Sequence, residues 1–99
     1  MAYIGKVAVP AQWSELESLI KAQIDGQSSF AFASGKTYSL QTEDGVLRVC
    51  NSTSAPTLDA DGEHLDDNQF GLYKSDSGTF YVRSNTKNGV CLVSVSEVA

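Results

Sequence analysis

Past Gly26 the chain breaks into short runs rich in Val, Tyr, Phe and Thr, each closed off by Gly, Asn, Asp or Ser. Runs of five to eight such residues between turn formers are strand signals, and their close spacing leaves no room for a second helical layer. The spacing predicts strands over 28–33, 36–42, 46–51, 69–74, 79–84 and 90–95, with a further short strand over 3–9. Six or seven antiparallel strands of this kind make a mainly β fold, a single small β-sandwich or barrel. With only 99 residues, one compact core is the ceiling. The expected layout is one domain, 1–99, in which 1–26 supplies a strand and a helix and 27–99 the sheets.

The helix is the one element with a different period. Trp13, Leu16, Ile20 and Ile24 fall near a 3.6-residue repeat, and Leu19 widens the stripe. Pro10 suits a first turn, Ser14 and Glu17 have capping-box spacing, and Gly26 supplies a stop. The reading is one amphipathic helix within 10–25.

Alternation sets which residues face inward. A two-residue turn at Asp44-Gly45 predicts a hairpin with Leu40 opposite Val49 and Thr42 opposite Leu47. Asn88-Gly89 likewise predicts Val82 opposite Val95, with Cys91 and Val93 on the same inward face. Cys50 then falls on an outer face, so the two cysteines are expected as free thiols. A Ser34-Gly35 hairpin fails this test, which requires a bulge, a longer loop or a change of sheet between Phe32 and Tyr38.

Charge and side-chain inventory narrow the function. Seven basic residues stand against twelve acidic ones, a net charge of -5, and the two arginines are far apart in sequence. Phosphate-binding surfaces need clustered Lys and Arg, so nucleic acid and anionic membranes are not expected partners. No apolar run approaches about 18 residues, and the N-terminus lacks a signal-peptide pattern. The expectation is a complete, soluble chain, not exported by that route. The single histidine, His64, and the two cysteines have no metal-ligand spacing. Asp59-Ala60-Asp61-Gly62-Glu63 resembles half a calcium loop but breaks the pattern at His64 and Phe70. No Gly-x-Ser-x-Gly elbow is present, and Asp66 and Asp67 sit in polar sequence that leaves both solvated. Asn51-Ser52-Thr53 is a glycosylation sequon with no secretory signal to give it meaning. The expectation is no enzyme, no catalytic residue, no cofactor and no metal.

What remains is contact surface. Tyr73, Tyr81 and Arg83 are expected to share an outward face, over a core that includes Phe70, Leu72, Phe80 and Val82; Tyr and Arg are the residue types of interface hot spots. Together with Trp13 they are the candidate partner-binding residues. The segment 52–67, which holds five of the acidic residues, is expected to be a long irregular loop.

Lys36-Thr37-Tyr38-Ser39-Leu40-Gln41, the stretch from Val49 to Pro56, Phe80-Tyr81-Val82-Arg83-Ser84 and the ending Val93–Val98 together resemble small virion-associated proteins of tailed bacteriophages. The resemblance spans Phe30 to Val98, and its motifs are structural, not catalytic. It implies an accessory protein that docks on capsid or tail proteins as a decoration, cement or fibre-attachment module. It further implies assembly in the host cytoplasm, residence in the virion and a homo-oligomeric state. The competing expectations are a glycan-recognition module for the host surface and a small acidic inhibitor of a host protein.

Overall fold

A computed structural model describes residues 2–53, 56, 62–75, 78–85 and 89–98. In chain order its elements are β1 (Ala2–Pro10), β2 (Ser14–Glu15), α1 (Leu16–Gln23), β3 (Thr37–Asp44), β4 (Leu47–Ser52), β5 (Glu63–Leu65), β6 (Phe70–Lys74), β7 (Thr79–Ser84) and β8 (Val90–Val98). They form two antiparallel four-stranded sheets, β1-β8-β3-β6 and β2-β7-β4-β5, packed face to face as a β-sandwich. The core between them is Val7, Val9, Leu40, Val93, Val95 and Cys91 from the first sheet, with Leu47, Val49, Leu65, Phe80 and Val82 from the second. Leu16 and Ile20 close one side.

For the strands flanking Asp44-Gly45 and Asn88-Gly89, the alternation predicted the inward faces correctly and the strand partners wrongly. Leu40 pairs with Val95 and Gly71, whereas Val49 lies in the other sheet, paired with Val82 and Glu63. Thr42 lies opposite Val93, and Leu47 opposite Ser84 and Leu65. Val82 is therefore across the core from Val95, not beside it. The physical reason is that a period of two fixes which face a residue shows, and both sheets show their apolar face to the same core. At Asp44-Gly45 the chain crosses between sheets, with Gly45 at φ 106, a backbone conformation that costs only glycine little. The turn at Asn88-Gly89 extends outside the described residues at Asn88, but the strands on either side of it also lie in different sheets.

Two other segments differ from expectation. Residues 28–33 are not a strand. They follow consecutive turns, with the Gln27 N–H donating to the Ile24 carbonyl and the Phe30 N–H to the Gln27 carbonyl. Side chains then replace a ladder: the Phe32 N–H donates to Glu17 Oε1 at 3.1 Å and the Ala33 N–H to the Tyr38 hydroxyl oxygen at 2.8 Å. Phe32 fills the space beside the core through edge-on contacts with Phe30, Tyr38 and Phe80. Of the alternatives between Phe32 and Tyr38, a loop is what forms.

The helix is shorter than its apolar stripe. Leu16 and Ile20 are fully buried and Leu19 and Ile24 partly so, but Trp13 precedes the helix. The capping box does not form: Glu15 occupies the N-cap without a side-chain cap, Ser14 Oγ donates to the Gln12 carbonyl, and Glu17 serves Phe32 and Lys21. Ser14-Glu15 instead pairs with Val82 and Tyr81 as a short strand. Pairing with β7 competes with the first helical turn and wins, because it also brings Trp13 onto the sheet.

Candidate functional surfaces

The candidate site residues divide between the two sheets. On the second sheet, β7 turns Phe80 and Val82 inward and Tyr81 and Arg83 outward. β4 does the same with Arg48 and Cys50. The register aligns His64, Arg48 and Arg83 as one cross-strand row. Trp13, entering from β2, lies 5.6 Å from the Arg83 guanidinium, within cation–π range. A Cβ on Gly62 would stand 3.2 Å from the indole Cη2, so the ring reaches across this face to the start of β5. His64 Nε2 is 3.6 Å from Asp66 Oδ1. Both arginines and the only histidine of a chain with net charge -5 thus share one row, beside an indole. Tertiary structure makes a cluster that linear spacing hid.

Tyr73 is not part of it. It belongs to β6 in the other sheet and packs inward against the core, its ring 6.3 Å from Phe80. Burial pushes its hydroxyl well above the usual tyrosine range, and the Glu63 carboxylate adds to the effect. The shared outward face of Tyr73, Tyr81 and Arg83 is therefore corrected to Trp13, Tyr81 and Arg83 alone. Phe70 and Leu72, expected in the core, are 63% and 58% exposed. The inversion follows from the register, which pairs Gly71 with buried Leu40 and Tyr73 with buried Tyr38. Gly71 explains the preference: a Cβ there would fall 2.6 Å from the Tyr73 hydroxyl. The tyrosine lies back over the glycine, and together they fill the inward positions that Phe and Leu would overfill. The signal was the Gly-x-Tyr pair, which hydropathy alone ranks below Phe-x-Leu.

The outer face of the first sheet is the surface that sequence reading missed. Tyr3, Phe70, Leu72, Val90 and Leu92 are the exposed large apolar side chains among the described residues, and all five point out of this one sheet. Its cross-strand rows read Tyr3-Ser96-Ser39-Leu72 and Lys6-Ser94-Gln41-Phe70, followed by Ala8-Leu92-Asp44 and Pro10-Val90. Apolar flanks thus border a shallow hydroxyl- and amide-floored groove of about 250 Å³ between Phe70, Leu72 and the serines. Lys6 and Glu43 bridge over the face at 3.0 Å. The hydrogen bond and charge of Lys6 hold the Glu43 carboxyl below its usual range, with Ser94 assisting.

The chemistry-bearing groups do not converge. Cys50 and Cys91 are both free, one half-buried on an outer face and the other in the core. Burial pushes the Cys91 thiol up to about 11, with Asp44 and Asp67 adding to it. Of the acidic segment, Glu63 and His64 form β5, an edge strand absent from the expected list, while Asp59 and Asp61 lie outside the described residues. Among the described residues no three His, Cys, Asp or Glu side chains group closely enough to hold a metal ion. Among the described residues no helix is long and apolar enough to cross a membrane. No family model, curated protein or solved structure matches the chain.

Proposed function

We propose that this protein is a non-enzymatic contact module that docks on another protein through the outer face of its first sheet. The gathering of Tyr3, Phe70, Leu72, Val90 and Leu92 on that face is the observation that carries the reading. Exposed apolar residues scattered singly are ordinary, but five gathered on the outer face of one sheet, flanking a polar floor, make it a contact surface. The Trp13, Tyr81 and Arg83 surface offers a second contact of hot-spot composition on the opposite side. On the resemblance, the partner is a capsid or tail protein of a tailed phage, and the protein is a virion accessory assembled in the host cytoplasm.

Magnitudes set what such docking requires. Fully burying a large apolar side chain is worth about 1.5–3 kcal/mol, and these residues retain roughly half that area to bury. Five of them contribute on the order of 5 kcal/mol, comparable to the low end of the association cost. One copy therefore binds weakly, and a repeated lattice of sites supplies the remainder through avidity. Co-sedimentation with phage particles lacking this protein tests the reading. Wild type is expected to sediment with them, and Phe70→Ser combined with Leu92→Ser to stay in solution while still folded. Failure of the wild type to bind, or undiminished binding by the double variant, rejects it.

A further inference from the structure

We infer that β6 is a strand-addition edge through which two copies of this chain pair antiparallel about Leu72. The Thr42 N–H donates to the Gln69 carbonyl and the Ser75 N–H to the Lys36 carbonyl. Hydrogen-bonded positions alternate along an antiparallel pair, so Gln69, Gly71, Tyr73 and Ser75 bond to the β3 side. The backbone N–H and C=O groups of Phe70, Leu72 and Lys74 then point away from β3, and β6 is the last strand of its sheet. Such a row is a template for another strand unless it is protected.

The other edges are protected. On β1, the Gln23 amide clamps Ala8: Oε1 accepts its N–H at 2.8 Å and Nε2 donates to its carbonyl at 2.9 Å. A bulge between Tyr3 and Gly5 and the proline at 10 blunt the rest of that edge. β2 and β5 offer only two and three residues. Among the described residues β6 has none of these devices, and it carries Phe70 and Leu72 exposed.

A second copy fits this edge by self-complementary side chains. Phe70, Leu72 and exposed Lys74 share the outer face of the sheet. An antiparallel copy centred on Leu72 sets Leu72 against Leu72 and Lys74 against Phe70. The two leucines then meet at the axis, and each lysine stem covers the other copy's phenylalanine. The arrangement is two-fold and closes on itself, so it stops at a dimer. A five-residue strand is about 17 Å long, which places the interface at the small, reversible end of the range. The pairing does not depend on the partner proposed above.

Sedimentation from micromolar to millimolar concentration, with hydrogen exchange on the same samples, tests it. Wild type is expected to move from 10.6 kDa toward twice that mass. Leu72→Pro is expected to remain monomeric throughout, since its lost N–H faces outward and breaks no β3 bond. Exchange at Phe70, Leu72 and Lys74 is expected to slow about tenfold once some nine-tenths of chains are paired. A wild type that stays monomeric, a folded Leu72→Pro that dimerises as wild type does, or exchange at these amides indifferent to concentration each overturns the inference. Should Leu72→Pro fail to fold, the wild-type exchange result decides alone. Tyr3→Ser combined with Leu92→Ser changes the proposed docking face outside β6; it is expected to dimerise as wild type does whatever its particle binding, which separates this inference from the proposed function.

Discussion

Two buried residues carry testable consequences of their own. Thr42 is fully buried, its hydroxyl donates to the Asp66 carbonyl, and the Gln69 N–H donates to that hydroxyl oxygen at 3.1 Å. It ties the approach to β6 onto β3. Thr42→Val keeps the shape and deletes these bonds, so urea unfolding should show a loss of about 1–3 kcal/mol. Cys91 makes stability depend on alkali. Its folded thiol titrates near 11 against an ordinary 9.0, so the unfolded chain releases its proton first. The contribution is intact below pH 9.0 and is lost as pH rises through about 11. Unfolding midpoints should therefore fall across that window, and Cys91→Ala should flatten this part of the profile. Thiol titration with a bulky disulfide reagent should find Cys50 reactive in the native protein and Cys91 reactive only after unfolding. The faces of both cysteines were legible from alternation alone, because Val93 and Val95 fix the parity of Cys91.

At the scale of elements, the contact between α1 and β1 rests on a glycine and a glutamine. Gly5 has φ 149, and a Cβ there would lie 2.6 Å from Ile24 Cδ1 at the end of α1. Gly5→Ala combines backbone strain with overpacking, and thermal melts should show about 2 kcal/mol or more of destabilisation. Gln23→Ala removes both bonds to Ala8; it should cost roughly 1 kcal/mol and leave the β1 edge open to association. Element identity was readable where composition and period agreed, as in β3, β7 and β8. It failed at 28–33, where Phe30 and Phe32 have strand composition but find acceptors in Glu17 and Tyr38 instead of a neighbouring strand. It also failed at Ser14-Glu15 and Glu63–Leu65, two strands too short for any period to declare.

For the whole molecule, the sheet order is what local reading could not reach. Consecutive strands β4 and β5 pair, but β3 and β4, β5 and β6, β6 and β7, and β7 and β8 lie in opposite sheets. Each short turn is equally compatible with a hairpin and with a crossing, and only the joint packing of eight strands decides. The site followed the same logic. Arg83, Tyr81 and Trp13 were identified by residue type; Arg83 and Trp13 do meet, with Tyr81 on the same face, whereas the apolar face depends on the register that turned Phe70 and Leu72 outward. Hydroxyl-radical footprinting of the protein free and bound to phage particles lacking it measures that face directly. Side chains of Tyr3, Phe70, Leu72 and Leu92 should oxidise readily in the free protein and become protected on the particle. Protection confined to other surfaces, or none at all in a sample that co-sediments, would contradict the proposed docking face.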